Sequence, residues 1–126
     1  MIAALDVGLK RIGVALCAND IITPQSAILR KNRDQAAFEV DEFLKYWQVK
    51  TLVVGLPFSS EETSRRIKHF VGLLKFENEI VFVNEDLSSF EAEELSRGVF
   101  KHKKDGKNDS LAAAIILERY KKSIVV

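Results

Sequence analysis

The segment Thr51–Leu56 (T-L-V-V-G-L) constrains this chain more than any other. Its apolar residues occupy odd and even positions alike, and Pro57 stops the run. A strand of that kind is covered on both faces, as the parallel strands of α/β sheets are. The flanks agree. Ahead of it, in 34–48, Val40, Phe43, Leu44 and Trp47 recur at i, i+3, i+4 and i+7, one stripe of a helix. Behind it, Ile67, Phe70, Val71 and Leu74 repeat the stripe in a helix expected over 62–76. Residues 80–83 read as another buried strand. Helix–strand–helix–strand alternation calls for parallel neighbours joined by right-handed crossovers.

The first third is patterned differently. The apolar run 1–7 closes at Gly8, and a second run, Arg11–Ala18, contains Gly13. With Gly8-Leu9-Lys10 as a short turn, the two predict an antiparallel hairpin. A third extended piece is expected over 26–30, after the breaker Thr23-Pro24. Towards the other end, Ser88-x-x-Glu91 has capping-box spacing for a helix running to about residue 99. A last helix is expected over 109–122, where Ala112, Ala113 and Ala114 permit close packing on the sheet. The expected fold class is α/β: a mixed five-stranded sheet, its first three strands antiparallel and the rest parallel, with helices on both faces. One domain spanning 1–126 suffices.

Composition narrows the function classes. The chain has 126 residues, 47% of them hydrophobic, with 19 basic against 18 acidic side chains and a net charge of +1. That is ordinary for one globular domain. No apolar run approaches the ~20 residues of a membrane span. The opening M-I-A-A-L-D-V-G-L-K-R, with an acid at position 6, does not read as a secretory signal. The single cysteine, Cys17, excludes an internal disulfide, and with only His69 and His102 beside it the usual zinc sites lack ligands. A cytoplasmic protein without a membrane partner is expected.

Three acids fall at element ends. Asp6 closes the first strand, Glu85 closes the last in Val83-Asn84-Glu85-Asp86, and Asp109 opens the final helix after Lys107-Asn108. Ligands of α/β sheets bind outside the carboxyl ends of strands, so Asp6 and Glu85 can converge there if their strands are neighbours. Clustered carboxylates repel unless a cation lies among them. Mg²⁺ takes such oxygen ligands together with phosphate oxygens. Two such ions about 3.5–4 Å apart orient a water and stabilise the leaving oxygen of a phosphodiester. Each acid also has a purely structural use: Asp6 in an Asx turn at Gly8, Glu85 as a solvated residue past its strand, Asp109 as a helix cap competing with Asn108.

Four blocks occur in order: Leu5-Asp6-Val7-Gly8-Leu9-Lys10-Arg11-Ile12-Gly13-Val14-Ala15; Val53-Val54-Gly55-Leu56-Pro57; Glu85-Asp86-Leu87-Ser88-Ser89 with Glu91-Ala92-Glu93; and Asp109-Ser110-Leu111-Ala112-Ala113-Ala114-Ile115-Ile116-Leu117. Together they resemble the bacterial pre-16S rRNA nuclease family, also called the Holliday junction resolvase-like family, over essentially the whole chain. The resemblance implies a ribonuclease H-like fold. It implies metal-dependent hydrolysis of nucleic-acid phosphodiesters, with Asp6, Glu85 and Asp109 as catalytic acids and as ligands of Mg²⁺ or Mn²⁺. The implied substrate is pre-rRNA at the 5′ end of 16S rRNA, with branched DNA as the alternative. The chain departs from the family's usual Asp-Glu-Arg at Asn84-Glu85-Asp86. It also has the short stretch Phe58-Ser59-Ser60-Glu61 in place of a longer glycine-containing loop.

With net charge near zero, nucleic acid must be held by local patches. Arg97, Lys101, Lys103, Lys104 and Lys107 stand against one acid, Asp105, just before Asp109; phosphate contacts of this kind release counterions. Lys10 and Arg11 in the first turn extend the footprint. Arg65, Arg66 and Lys68 read as the wet face of their helix, and His102 has only proximity to the proposed site. Two other classes stay open. A non-catalytic RNA-binding assembly factor would bind RNA with metal chelated and yield no product. Nucleotide binding is suggested by the Asp-x-Gly turn, which resembles the first phosphate loop of actin-like ATPases, but that architecture needs two domains. A monomer or a homodimer is expected, since symmetric junction cutting would call for a twofold dimer.

Overall fold

Elements form where the local chemistry allows little else. The computed structural model describes residues 1–86 and 110–124. These comprise β1 (Ile2–Val7), β2 (Arg11–Ala18), β3 (Ile21–Leu29), α1 (Arg33–Tyr46), β4 (Thr51–Leu56), α2 (Glu61–Gly72), β5 (Glu79–Asn84) and α3 (Leu111–Ile124). The Gly8 N–H donates to the Arg11 carbonyl at 2.9 Å, closing the β1–β2 hairpin. A Cβ at Gly8 would lie 2.6 Å from that carbonyl oxygen, so the turn needs glycine.

The sheet order is β3-β2-β1-β4-β5. β1–β2 and β2–β3 pair antiparallel, β1–β4 and β4–β5 parallel. Residue alternation sorts the side chains into two layers. Leu5, Val14, Leu16, Leu52 and Val54 face α1 and α2, where Val40, Leu44, Ile67 and Phe70 complete the larger core. The other face carries small residues, Ala4, Ala15, Cys17 and Val53, under Ala113, Ala114, Ile116 and Leu117 of α3. Alanine meeting alanine brings the α3 backbone close to the sheet.

Several expected boundaries move. β3 begins at Ile21 rather than 26 and runs through Pro24, which pairs with Ala15. β3 is an edge strand, and a proline whose nitrogen is turned outward there has no ladder bond to lose. α1 ends at Tyr46, with Gln48 at φ 51°. The Gln48 N–H donates to the Lys45 carbonyl and the Val49 N–H to that of Leu44, a Schellman closure that leaves Trp47 partly exposed. α2 stops at Gly72, short of 76, and the Asp41 carboxylate accepts from the Lys75 N–H at 3.1 Å. Leu74 and Phe76 still pack on the core from outside the helix. β5 is an edge strand covered less than expected, with Phe82 37% exposed. The helix expected to start at Ser88 lies outside the described residues. Among the described residues no helix is long and apolar enough to cross a membrane.

Candidate active site

Alternation along β1 aims Ile2, Ala4 and Asp6 at the α3 side. Asp6 is half-buried at the carboxyl end of its strand, and its flanks on that face are bare. Its register partner on β2 is Gly13. On β4 the place after Val54, the partner of Leu5, is Gly55. An acid between two glycines has no side chain from either neighbouring strand directly beside it.

Glu85 follows the last residue of β5. Its N–H donates to the Leu56 carbonyl at 2.8 Å, which keeps it in the strand geometry and on the face of Val83. The sequence reading let the two acids meet if their strands were neighbours. They are not: β4 lies between β1 and β5, two strand spacings of about 9–10 Å in all. The acids meet because Gly55 has no side chain in the way. A Cβ there would sit 3.1 Å from the Glu85 Cβ and 2.4 Å from Ile116 Cδ1.

Glu85 hydrogen-bonds Asp6, and its pKa is pushed up to about 8 by burial first, then by that bond and by the charges of Asp6 and Asp86. Glu85 thus keeps its proton at neutral pH in a half-buried hollow beside the Asp6 carboxyl. Such a pair is a set of hard oxygen donors that a dication suits better than a proton does. Among the described residues no group of three or more His, Cys, Asp or Glu gathers in this way; Asp109 lies outside them.

The Glu85 peptide is held from two directions. Arg119 of α3 donates through Nη1 to the carbonyls of Asn84 and Asp86 at 2.8 and 2.9 Å, one on each side of Glu85. The Asp86 carboxylate accepts from the Ser59 N–H and Oγ, both at 3.2 Å, so it is committed to the β4–α2 loop rather than to the hollow. Ser110, fully buried ahead of α3, accepts from the Val14 N–H at 2.9 Å and donates to the Gln25 carbonyl at 2.6 Å. It fills the irregularity where the β2–β3 register jumps between Ile12 and Val14, and it fastens the chain next to Asp109 within one residue of Gly13, the partner of Asp6.

Sequence reasoning used Gly55, Ser110 and Arg119 at most as parts of motif blocks. Gly55 had a signal, since a glycine inside a β-branched strand marks a close approach. The other two act through tertiary contacts that no local pattern announces. Of the expected binding residues, Lys10 and Arg11 are exposed at the turn beyond Asp6. Arg97, Lys101, Lys103, Lys104 and Lys107 lie outside the described residues.

Residues 1–123 match the family described as RuvX: Holliday junction resolvase. A protein of a Sulfurovum species named for pre-16S rRNA nuclease activity is 58% identical over 123 residues, covering 94% of this chain and 96% of its own. One of the same name from Campylobacter lari is 53% identical over 121 residues, covering 93% and 94%. Among solved structures, the fowlpox virus Holliday junction resolvase superposes with a TM-score of 0.57 at 14% identity, over 98% of this chain and 99% of that one. RuvC from Thermus thermophilus superposes at 0.51 and 11% identity, over 98% and 96%. At that identity the likeness is one of fold, and the mixed sheet with helices on both faces is the ribonuclease H-like arrangement.

Proposed function

The chain belongs to the RuvX family described as Holliday junction resolvase, and on that premise we propose that it is a hydrolase cutting nucleic-acid phosphodiesters, with pre-16S rRNA as its substrate. The observation that carries this reading is the Asp6–Glu85 carboxyl pair across Gly55. A fold needs no two mutually repelling acids in a half-buried hollow; a cation site does.

Asp6 and Glu85 would hold Mg²⁺ or Mn²⁺, with Asp109 as third ligand. Support for Asp109 comes from its neighbour: Ser110 is hydrogen-bonded to Val14, beside the partner of Asp6. Bound dications would orient and polarise the attacking water and compensate charge at the phosphate. The chain's own residues do the rest. Glu85 would give up its proton to serve as a ligand, Arg119 holds the Glu85 peptide in place, and Lys10, Arg11 and the basic stretch Arg97, Lys101, Lys103, Lys104 and Lys107 would hold the phosphate backbone. The domain works in the cytoplasm as a single unit over 1–126.

The test offers labelled precursor rRNA and a four-way DNA junction side by side, with Mg²⁺ or Mn²⁺, to wild type and Asp6→Asn. Cleavage of the precursor by wild type, lost in a folded Asp6→Asn, is the expected result. Full activity of Asp6→Asn at matched metal concentration refutes the site. Preferential cutting of the junction, by a protein that sediments as a dimer, replaces pre-rRNA with branched DNA as substrate.

A further inference from the structure

A second feature stands on the other side of the sheet edge. The β1–β2 turn, the end of β3, the first residue of α1 and one side of α2 enclose a cleft of about 600 Å³. Arg30, Arg33, Arg65 and Arg66 line it with the acid Glu62, and Arg65 also pairs with Glu61 at 3.5 Å. The turn side is apolar, through Val7 and Leu9, and Leu9 is 69% exposed. Arg30 is fixed in place: Nη1 donates to the Gly8 carbonyl at 3.0 Å, and the guanidinium lies 5.0 Å from the centre of the buried Phe70 ring. A guanidinium plane fixed in this way can carry an unpaired base stacked on it.

Among the described residues a second hollow lacks this excess of positive charge. A larger hollow of about 970 Å³ at the amino ends of β4 and β5 mixes Asp34, Asp41, Glu42 and Glu77 with Lys45, Lys50 and Lys75. A phosphate group would meet a net positive lining in the arginine cleft and a net negative one there.

The cleft also begins where the acid site ends. Val7 and Gly8 follow Asp6 directly, so the wall starts within about 7 Å of extended backbone from Asp6. Yet Val7 packs with the α1 and α2 layer, whereas Asp6 faces α3. A strand that reaches both must bend over the sheet edge at the Gly8 turn, past Lys10 and Arg11. Duplex DNA, with a persistence length of about 50 nm, cannot follow such a bend without a costly kink. An unpaired strand can, and sites of about 300–1,000 Å³ take ligands of one or two nucleotide units.

We propose that this cleft is a binding site for one or two unpaired nucleotides next to the bond being cut, with Arg33, Arg65 and Arg66 on phosphate and the Arg30 plane under a base. The proposal rests on the nuclease reading of Asp6 and Glu85, and it makes the substrate single-stranded at the point of cutting.

The experiment measures binding apart from cleavage. Fluorescence anisotropy in chelator compares a short single-stranded RNA, its duplex and a four-way junction on wild type, Arg33→Gln/Arg66→Gln and Lys45→Gln/Lys50→Gln, with thermal melts to confirm folding. Wild type binds the single strand most tightly. The arginine variant weakens that binding about tenfold, and its salt slope falls by about 1.4, or 0.7 for each of two lost phosphate contacts. The lysine variant, with the same change in net charge, binds as wild type. Unchanged affinity and slope in the arginine variant, equal weakening in the lysine variant, or tighter wild-type binding to duplex or junction overturns the proposal. A protein that binds single strands through these arginines but cuts nothing with Mg²⁺ or Mn²⁺ upholds the cleft and refutes the nuclease reading alone.

Discussion

Gly55→Ala tests the physical basis of the site most directly. The new Cβ would lie 2.4 Å from Ile116 Cδ1, 3.0 Å from Ile116 Cγ1 and 3.1 Å from the Glu85 Cβ. Ile116 of α3 is fully buried against the sheet and cannot swing into solvent. Two effects oppose each other. Replacing glycine by alanine stiffens the unfolded chain, a gain of about 0.4–1 kcal/mol. Forcing a methyl into a packed layer costs about 1–3 kcal/mol. The second wins, so urea unfolding shows a net loss. Ile116→Val removes the nearest atom and by itself costs about 0.5–1.5 kcal/mol. In the double variant the 2.4 Å contact is gone, and the total loss falls short of the sum of the singles by about 0.5 kcal/mol or more. The contact with Glu85 remains, however, so cleavage stays low in the single Gly55→Ala variant and in the double variant, while Ile116→Val alone cuts normally. A Gly55→Ala protein as stable and active as wild type, or strictly additive losses, would show that the bare glycine surface is not what lets the acids meet.

Glu85 makes metal-free stability depend on pH. Its pKa is about 8 when folded against an ordinary 4.5, so the folded state holds the proton in that window and stability falls as pH rises through it. Glu85→Gln flattens the profile, and added Mg²⁺ stabilises wild type increasingly over the same range; superimposable melting profiles for the two proteins would refute this. Ser110→Ala leaves the Val14 N–H and the Gln25 carbonyl without their buried partner, and chemical denaturation should register a loss of about 1–3 kcal/mol. Arg119→Ala frees the peptide around Glu85, so cleavage and Mg²⁺ affinity both fall while the fold survives. Unaltered metal affinity would reduce Arg119 to a surface tie.

Much of the fold was legible because its signals are local. Thr51–Leu56 announced a strand covered on both faces, and it is the interior strand β4. The stripes at Val40 and Ile67 announced helices, and both residues are core. Pro24 misled because a breaker is judged without knowing whether its strand lies at an edge. Arg65 and Arg66 were read as the wet face of α2; they are exposed, and they also wall a cleft with Arg30 and Arg33 from elsewhere in the chain.

Periodicity and turn chemistry, which act over a few residues, were enough to put Asp6 and Glu85 at the carboxyl ends of strands. That the two touch is a property of the assembled sheet. Strand order put β4 between them, and only the combination of that order, the parallel register and a side-chain-free position at Gly55 brings the two carboxyls together. Contact across a sheet depends on which distant segments pair and in what register, a long-range outcome of burying two apolar faces at once.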